Sequence, residues 1–286
     1  MKVTDIINSD KLSLSFEVFP PKDSAKFETV KLATEDIAKL HPSYMSVTYG
    51  AGGGTSEYTL KIAENLSQKG VTPLAHLSCV SSTKNEVHKQ LDQMRAAGIE
   101  NILALRGDIP QGMDVSHLEY HYASELIEEI VEYGGFCIGG ACYPESHPDS
   151  ESSFTDIKNL KKKVDAGCEF LTTQMFFDNN IYYNFLYRLR EADVNVPVIA
   201  GIMPVTNPKS IKRICGISGT ALPQRFVRIV DKFGDNPAAM KQAGIAYATE
   251  QIIDLFANGV KAVHVYSMNK PDVAAKIIDN LSEILL

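Results

Sequence analysis

The sequence predicts an α/β protein whose strands close into a single (β/α)8 TIM barrel. Two observations support this prediction. Eight strand-like segments alternate with helix-like segments along the whole 286-residue chain. The strand segments are short and largely apolar, as expected of parallel strands that are covered on both faces. No linker or low-complexity stretch divides the chain, so we predict one domain, residues 1–286. A doubly wound open sheet is the alternative that the pattern leaves open.

The strands are predicted from runs of apolar residues that end at glycine, proline or polar residues. In the first run, KLSLSFEVFPP, Phe16 and Val18 share one face, and Glu17 lies on the other. Pro20 and Pro21 end this strand because proline cannot donate a hydrogen bond to a neighbouring strand. The eight predicted strands cover residues 12–19, 44–50, 71–79, 101–107, 136–142, 169–175, 197–203 and 261–267.

The helices are predicted from apolar residues that recur at helical spacing between the strands. Residues 83–97 show this best, because Val87, Leu91 and Met94 would share one face and Gly98 stands at the expected end. An extra helix, near residues 236–257, is predicted before the last strand. The other predicted helices lie near residues 24–40, 56–69, 120–133, 154–166, 179–192, 207–217 and 271–285.

Composition excludes several classes of protein. The formal charge is −7 and no basic stripe with interleaved aromatic residues occurs, so we expect no nucleic-acid partner. No apolar run approaches the roughly 18 residues of a membrane span, and the first residues lack the apolar core of a signal peptide. The five cysteines form no CxxC pair, so we expect reduced thiols, no metal site and a cytoplasmic protein.

The ends of the predicted strands carry the polar residues that would gather at the mouth of a barrel. Glu17 could be a proton donor with a raised pKa or could pair with a rim cation. His76 could serve a site or be a core histidine, and Arg106 could pair with Asp108. The glycine-rich residues 50–54 match no nucleotide-binding motif.

A polar stripe is predicted on the helix that follows the fifth strand. Asp156, Asn159 and Lys163 are spaced i, i+3 and i+7 and would share one face. This face could simply be solvated, or it could bind a ribose and a pyrophosphate. No GxSxG motif occurs, and no cysteine has a motif partner, so a serine or thiol hydrolase finds no support.

Taken together, the strand-end motifs resemble the catalytic domain of the methylenetetrahydrofolate reductase family over about residues 12–270. In chain order the motifs are SFEVFPP, VTYGA, LRGD, YPESHP, NLKKKVDAG, TTQMFFD, GIMPV and VYSMNK. The resemblance implies a (β/α)8 barrel that binds FAD noncovalently. It also implies reduction of methylenetetrahydrofolate to methyltetrahydrofolate with electrons from NADH or NADPH. Homo-oligomers are common in the family, which implies one here.

The resemblance also assigns residues to the cofactor and the substrate. FAD-binding positions match Thr48, His76, Arg106, Gly107, Asp108, Tyr122, Ala123, Tyr143, His147, Asp156, Asn159 and Lys163. Glu17 matches the general acid that protonates the leaving nitrogen when the five-membered folate ring opens to an iminium cation. Asp108 would stabilise that cation. Substrate-binding positions match Glu17, Asp108, Gln174, Tyr266 and Lys270.

Three expectations follow from departures from the family pattern. Lys270 stands where members commonly carry an arginine, so a planar contact with a folate carboxylate would be lost. Ile214 stands where some members place a phenylalanine that stacks on ligands. The chain has no counterpart of the eukaryotic regulatory region, so we expect no inhibition by S-adenosylmethionine. Two rival interpretations are a barrel flavoenzyme of the proline dehydrogenase type and a non-catalytic pterin-binding barrel.

Overall fold

The predicted (β/α)8 barrel is confirmed in a computed structural model, which describes residues 1–21, 23–49, 56–109, 112 and 114–285. The eight strands are parallel and lie in chain order, and β8 closes the barrel against β1. The strands are β1 Ser13–Val18, β2 Met45–Val47, β3 Pro73–Ser78, β4 Asn101–Leu105, β5 Cys137–Cys142, β6 Phe170–Thr173, β7 Val198–Ile202 and β8 Ala262–Tyr266.

The helices include one at each predicted place. They are α1 Val3–Ile7, α2 Phe27–Ala38, α3 Ser56–Gln68, α4 Lys84–Ala96, α5 Ala123–Tyr133, α6 Ser153–Asp165, α7 Asn179–Glu191, α8 Pro208–Ser218, α9 Gln224–Phe233, α10 Pro237–Ala257 and α11 Pro271–Asn280, with a 3₁₀ turn at Ser24–Lys26. The extra helix before the last strand is α10. The sequence pattern missed α1 and α9, which are only 5 and 10 residues long.

The alternation of β1 places its two faces in different surroundings. Phe16 and Val18 point outward into the apolar core between the strands and the helices. Ser15 and Glu17 occupy the other face, on which Ser15 contacts a β8 side chain and Glu17 a β3 side chain. The register sets Glu17 beside Ser46 of β2. The barrel interior is therefore polar at the level of these residues.

The lower part of the barrel interior is apolar and filled. A cluster of buried side chains joins the strands to helix α1, which covers this end; it comprises Val3, Ile7, Tyr44, Leu74, Leu103, Cys137, Phe170, Ile199 and Ala262. A Cβ at Gly139 would lie 2.3 Å from the Phe170 ring, so the glycine makes room for that ring. Within the described residues, no helix has the length and apolarity needed to cross a membrane.

Candidate functional site

A pocket of about 240 Å³ opens where the barrel strands end. This is the end of the barrel at which βα loops place functional residues. Five of the residues predicted from the sequence meet here, namely Glu17, His76, Tyr143, Gln174 and Tyr266. The other lining residues are Ser46, Leu74, Leu103, Leu105, Ala141, Thr172, Thr173, Met203 and His264.

Glu17 is a half-buried carboxyl, with 16% of its side chain exposed, and within the described chain it has no lysine or arginine partner. Its Oε2 lies 3.7 Å from Nε2 of His76, and no lysine or arginine of the described chain forms an ion pair with it. Burial raises the pKa of Glu17 to about 8. Burial also lowers the pKa of His76 to about 3, so this pair consists of a carboxylic acid and a neutral imidazole near pH 7. The alternative of a rim ion pair does not fit these contacts.

The loop after β8 holds the end of β1 in place. The Ser267 hydroxyl donates to the carbonyl oxygen of Glu17 at 2.7 Å. The Asn269 side chain accepts from the backbone N–H of Phe19 and donates to its carbonyl, both at 2.9 Å. The loop after β8 thus bonds to the backbone of Glu17 and of Phe19. These bonds fix the end of the strand that carries the carboxyl.

His76 is not a satisfied core histidine. It is 6% exposed, and its Nε2 has no hydrogen-bond partner within the described part of the chain. The hydroxyl of Thr172, which also lines the pocket, is buried without a partner as well. A buried polar atom that lacks a partner costs free energy unless a ligand or water satisfies it. Both atoms are therefore placed to bind a ligand or a water in this pocket.

His264 is a functional-site residue that sequence reasoning missed. Its Nδ1 lies 2.7 Å from the Ser15 hydroxyl, and its Nε2 lies 2.9 Å from the Ser46 hydroxyl. Its ring stacks on that of Tyr44, with the centroids 5.6 Å apart. The sequence pattern that could have identified His264 was the polar, inward face of β1 together with a histidine in the last strand. That pattern was not enough, because β1 and β8 become neighbours only when the barrel closes.

The opposite wall carries Tyr266 and Gln174. The Tyr266 hydroxyl donates to the carbonyl of Thr173 at 2.5 Å and passes over Gly201, where a Cβ would lie 2.6 Å from it. The Gln174 side-chain oxygen accepts the backbone N–H of Met175 at 2.9 Å. Burial raises the pKa of Tyr143, and a hydrogen bond from Gln174 opposes that rise. This wall therefore presents oriented neutral groups to the pocket.

The charged residues of the site lie at its rim, after β4 and β5. Arg106 does not pair with Asp108, the partner considered from the sequence. Its guanidinium instead donates to the Asp149 carboxylate at 2.7 Å. Asp108 is exposed, and its charge contributes to the raised pKa of Tyr143. The carboxylate of Asp108 is therefore available at the mouth of the pocket. Gly107 separates the two side chains with a φ of +88°.

The stripe on helix α6 is more than a solvated face. Asp156 is 7% exposed and accepts from the backbone N–H of His147 and from the Ser150 hydroxyl, both at 3.1 Å. Lys163 donates to the carbonyl oxygen of Ala141 at 2.8 Å. These bonds tie the loop after β5 to the helix. Asn159, which lies between Asp156 and Lys163 in the sequence, is half-buried.

Two cations share this part of the rim. Burial lowers the pKa of His147, and the charges of Arg106 and Lys163 lower it further, while those of Asp149 and Asp156 oppose them. The His147 ring lies edge-on to that of Tyr143, with the centroids 4.5 Å apart. Burial also lowers the pKa of Lys163. Cations held close together and partly out of water form a site suited to an anion such as a phosphate.

The remaining predicted positions do not line the pocket. Tyr122 is 63% exposed, and Ala123 is buried at the first turn of α5. Thr48 is half-buried just after β2. Lys270 donates to the Thr206 hydroxyl at 2.6 Å. The glycine-rich residues 50–54 lie outside the described residues.

Ile214 takes part in the apolar packing beside the pocket. It packs, together with Met203 and Tyr266, against a buried cluster beneath helix α8. Met203 and Tyr266 both line the pocket. An aliphatic side chain therefore stands in the place where a stacking aromatic ring was considered from the family pattern.

Comparison with known proteins agrees with this architecture. The family model described as methylenetetrahydrofolate reductase matches residues 2–282. A 5,10-methylenetetrahydrofolate reductase of Escherichia coli K12 is 34% identical over 272 residues, which cover 95% of this chain and 91% of that protein. Methylenetetrahydrofolate reductase (NADH) 1 of Arabidopsis thaliana is 35% identical over 303 residues, which cover 99% of this chain and 51% of that protein.

A solved structure shows the same fold. It is an uncharacterized protein from Clostridium thermocellum that binds two copies of 5-methyl-5,6,7,8-tetrahydrofolic acid, and it aligns with a TM-score of 0.69 at 13% identity, covering 99% of this chain and all of that one. The chain spans about half the length of the plant relatives that it matches. By the family match and the bacterial identity, the chain belongs to the methylenetetrahydrofolate reductase family.

Proposed function

We propose that this protein is a flavin-dependent oxidoreductase that reduces 5,10-methylenetetrahydrofolate to 5-methyltetrahydrofolate, with NADH or NADPH as the reductant. The observation that carries the proposal is the Glu17 carboxyl, which is half-buried in the pocket, has no cationic partner within the described chain, and has a pKa raised to about 8. An acid that stays protonated near neutrality can donate a proton to a substrate nitrogen. Membership of the family supports the folate as that substrate.

The role of Glu17 follows from the chemistry of the folate ring. The five-membered ring opens when the bond from its bridging carbon to the leaving nitrogen breaks. Glu17 donates its carboxyl proton to that nitrogen, and the bridging carbon becomes part of an iminium cation. The exposed carboxylate of Asp108 at the mouth would stabilise this positive charge. Gln174, Tyr266 and Lys270 would bind the folate, the first two from the pocket wall.

The described residues fit FAD. Arg106 and Lys163 lie close enough that both charges act on His147, and Lys163 donates only to a backbone carbonyl. A pyrophosphate here would pair with Lys163 and would compete with Asp149 for the guanidinium of Arg106. The residues that would hold FAD are Thr48, His76, Arg106, Gly107, Asp108, Tyr122, Ala123, Tyr143, His147, Asp156, Asn159 and Lys163. A bound flavin would supply two-electron chemistry, accepting a hydride from the nicotinamide and passing one to the folate.

The choice of reductant is supported only by the names of relatives. The plant relatives are named as NADH-dependent. We therefore propose NADH as the first reductant to test, with NADPH beside it. Both are small molecules that must use the same mouth as the folate, because the lower barrel is filled by apolar side chains. The two ligands would then occupy the pocket in turn.

An anaerobic stopped-flow experiment tests the proposal. The purified protein, loaded with FAD, is mixed with NADH and then with methylenetetrahydrofolate while the flavin absorbance is followed. We expect NADH to bleach the flavin and the folate to restore its colour. If only oxygen or a quinone restores the colour, the protein is another kind of barrel flavoenzyme. If the protein takes up no FAD but binds a pterin, it is a non-catalytic binding barrel.

A further inference from the structure

Helix α8 lies along the mouth of the barrel and does not return the chain to the other end. Just before its start, the Thr206 hydroxyl accepts from the Lys270 ammonium at 2.6 Å, which joins the loops after β7 and β8. Just past its end, the Thr220 hydroxyl donates to the carbonyl of Met175, after β6, at 3.3 Å. Both ends of α8 are therefore held by loops at the strand ends. Helix α10, which directly precedes β8, returns the chain.

The two sides of α8 have different neighbours. Residues at i and i+4 share a row along a helix. One row, Pro208 and Lys212, lies on the side of α9, because a Cβ at Gly234 would lie 3.1 Å from Cγ of Pro208. On the other side, Ile214 packs against the same cluster as Tyr266, which lines the pocket. The row between these two sides faces solvent.

This solvent-facing row carries two exposed cations, Lys209 and Arg213, which we call the cation row. They are spaced i and i+4. Among the described residues, no ion pair joins either of them to an acidic residue, whereas Arg225 of α9 pairs with Glu250 of α10. The two charges of the cation row are therefore available to an anion at the mouth.

The surroundings of the cation row contain few free carboxylates. Residues 194–230 include five basic residues and no acidic one, although the whole chain has 35 acidic residues against 28 basic ones. Asp272, in the first turn of α11, is paired with Lys241. Glu145 lies beyond the other end of α8, where it accepts from the backbone N–H of Ala221 at 3.0 Å. The first half of α8 is thus a positive region on a negative protein, which favours an anionic partner.

The proposed substrate carries such an anion. A folate ends in a glutamate, and each further glutamate attached through the γ-carboxyl adds one carboxylate. Because apolar side chains fill the lower barrel, the tail of a folate whose ring system lies in the pocket must leave through the mouth. Lys270, which the family pattern assigns to the folate, stands at the start of α8. A tail that continues along α8 from this point meets Lys209 and then Arg213, about 5–6 Å further on.

We propose that the cation row binds the γ-linked glutamate tail of the folate, with Lys209 and Arg213 each pairing with a tail carboxylate. The protein would then prefer folates that carry several glutamates. The inference rests on the proposed function, which supplies the folate as the ligand. The phosphates of the nicotinamide nucleotide also pass the mouth, but the Lys270 contact at the start of α8 favours the folate tail.

The test compares the binding of 5-methyltetrahydrofolate with one glutamate and with five γ-linked glutamates. Calorimetry on the FAD-loaded protein measures both affinities without turnover. We expect the pentaglutamate to bind about fivefold to tenfold more tightly, since two exposed ion pairs each contribute little. This ratio should fall when salt is raised from about 0.1 M to about 1 M, which shortens the Debye length from about 10 Å to about 3 Å.

Neighbouring positions on α8 provide a matched pair of variants. Arg213→Gln should lower the ratio of the two affinities by about twofold to threefold, and Lys209→Gln/Arg213→Gln should bring it close to one. Lys212→Gln removes one charge from the same helix but from the row beside α9, so it should leave the ratio unchanged. Equal ratios in Arg213→Gln and Lys212→Gln would show that the tail does not follow the cation row, and they would overturn the inference.

The remaining outcomes separate this inference from the proposed function. If the wild type binds both folates equally, the tail site is wrong and the proposed function stands. If the tail preference depends on the cation row but methylenetetrahydrofolate does not reoxidise the flavin, the proposed function is wrong and the tail site stands. If neither folate binds, both are wrong. If the double variant weakens NADH binding and leaves the folate ratio unchanged, the row serves the dinucleotide and the tail site is wrong.

Discussion

The pocket floor and the charged rim differ in the partners that they give to their ionisable groups. The pocket floor, made of Glu17, Ser46, His76 and His264, is buried, and burial moves each titratable group toward its neutral form. In the charged rim, made of Arg106, Asp149, Asp156 and Lys163, each residue makes a polar contact, and Arg106 and Asp149 form an ion pair. The floor residues lie on β1, β2, β3 and β8, whereas the rim residues follow β4 and β5 or lie on α6.

This difference shows how one barrel mouth can serve two kinds of chemistry. An acid that must release a proton is helped by the absence of nearby cations, because a cation would hold the carboxyl ionised. An anion site is helped by fixed cations. Keeping the two regions apart lets the floor stay neutral while the rim stays charged. The predictions below test whether each region can be changed without the other.

The largest expected effect is that of Glu17→Gln on the folate half-reaction. Glutamine keeps the size of the side chain but cannot donate a carboxyl proton. We expect reoxidation of the flavin by methylenetetrahydrofolate to slow by about 10² to 10⁴-fold, while flavin binding and reduction by NADH persist. Stopped-flow traces of the two half-reactions measure this. An equal loss in both would show that Glu17 is structural.

The next effect concerns Lys163 in the charged rim. Lys163→Met removes the ammonium that donates to the carbonyl of Ala141 and keeps much of the apolar stem. We expect FAD affinity to fall by about tenfold to a hundredfold, the range for one hydrogen bond to a charged group. Flavin fluorescence titration measures this. Lys163→Arg, which keeps the charge, is the matched control. An unchanged affinity in Lys163→Met would remove Lys163 from the cofactor site.

The ionisable groups of the pocket floor should also make the unfolding free energy depend on pH. Glu17 has a folded pKa of about 8 against an ordinary value of 4.5, so the folded protein binds the additional proton between these values. Its contribution to stability is therefore lost as pH rises through that window. Between pH 6.5 and 8, the wild type should lose about 2 kcal/mol more unfolding free energy than Glu17→Gln.

The histidines of the floor act in the opposite sense. The pKa values of His76 and His264 are lowered to about 3 from 6.5, so their contribution is present above pH 6.5 and is lost as pH falls toward 3. Urea unfolding at several pH values measures both effects. Parallel stability curves for the wild type and Glu17→Gln above pH 6.5 would contradict the raised pKa of Glu17.

The smallest expected effect comes from backbone strain in the rim. Ser146, in the loop after β5, has a φ of +84°, a region that favours glycine. Relief of this strain is partly offset by the greater freedom of glycine in the unfolded chain. We expect Ser146→Gly to raise the unfolding free energy by up to about 1 kcal/mol. Ser146→Ala keeps the Cβ and should give no gain in the same urea titration.

Much of the fold could be predicted from the sequence, because buried parallel strands occur in the sequence as short runs of apolar residues. The inner segment of each predicted strand agrees with the structure, from β1, at Ser13–Val18, to β8, at Ala262–Tyr266. Helix α1 was not accessible, because five residues are too few to show a helical period. Helix α9 buries only Phe226 and Val230, one turn apart, which is a weak signal.

The site was accessible where a residue stands at the end of a strand. Glu17 and Gln174 were found at such ends, and His76 was found inside the apolar run of the third strand; the barrel brings all three to one pocket. The partners of these residues were not accessible. Arg106 pairs with Asp149, which is 43 positions away in another loop. His264 is a non-local case as well, because its serines lie on strands that meet β8 only when the barrel closes.

Because apolar side chains fill the lower barrel, the pocket has its entrance at the strand-end side of the barrel. Phe170 and the side chains of α1 occupy the space beneath the floor, so within the described structure solvent reaches Glu17 from the strand-end side. Under the proposed function, the folate and the nicotinamide nucleotide would enter through the same opening. Under the proposed function, a bound ligand would block this entrance, and Glu17 would regain a proton from solvent only after the ligand leaves. The filled end of the barrel would thus require that ligand release precede reprotonation of Glu17.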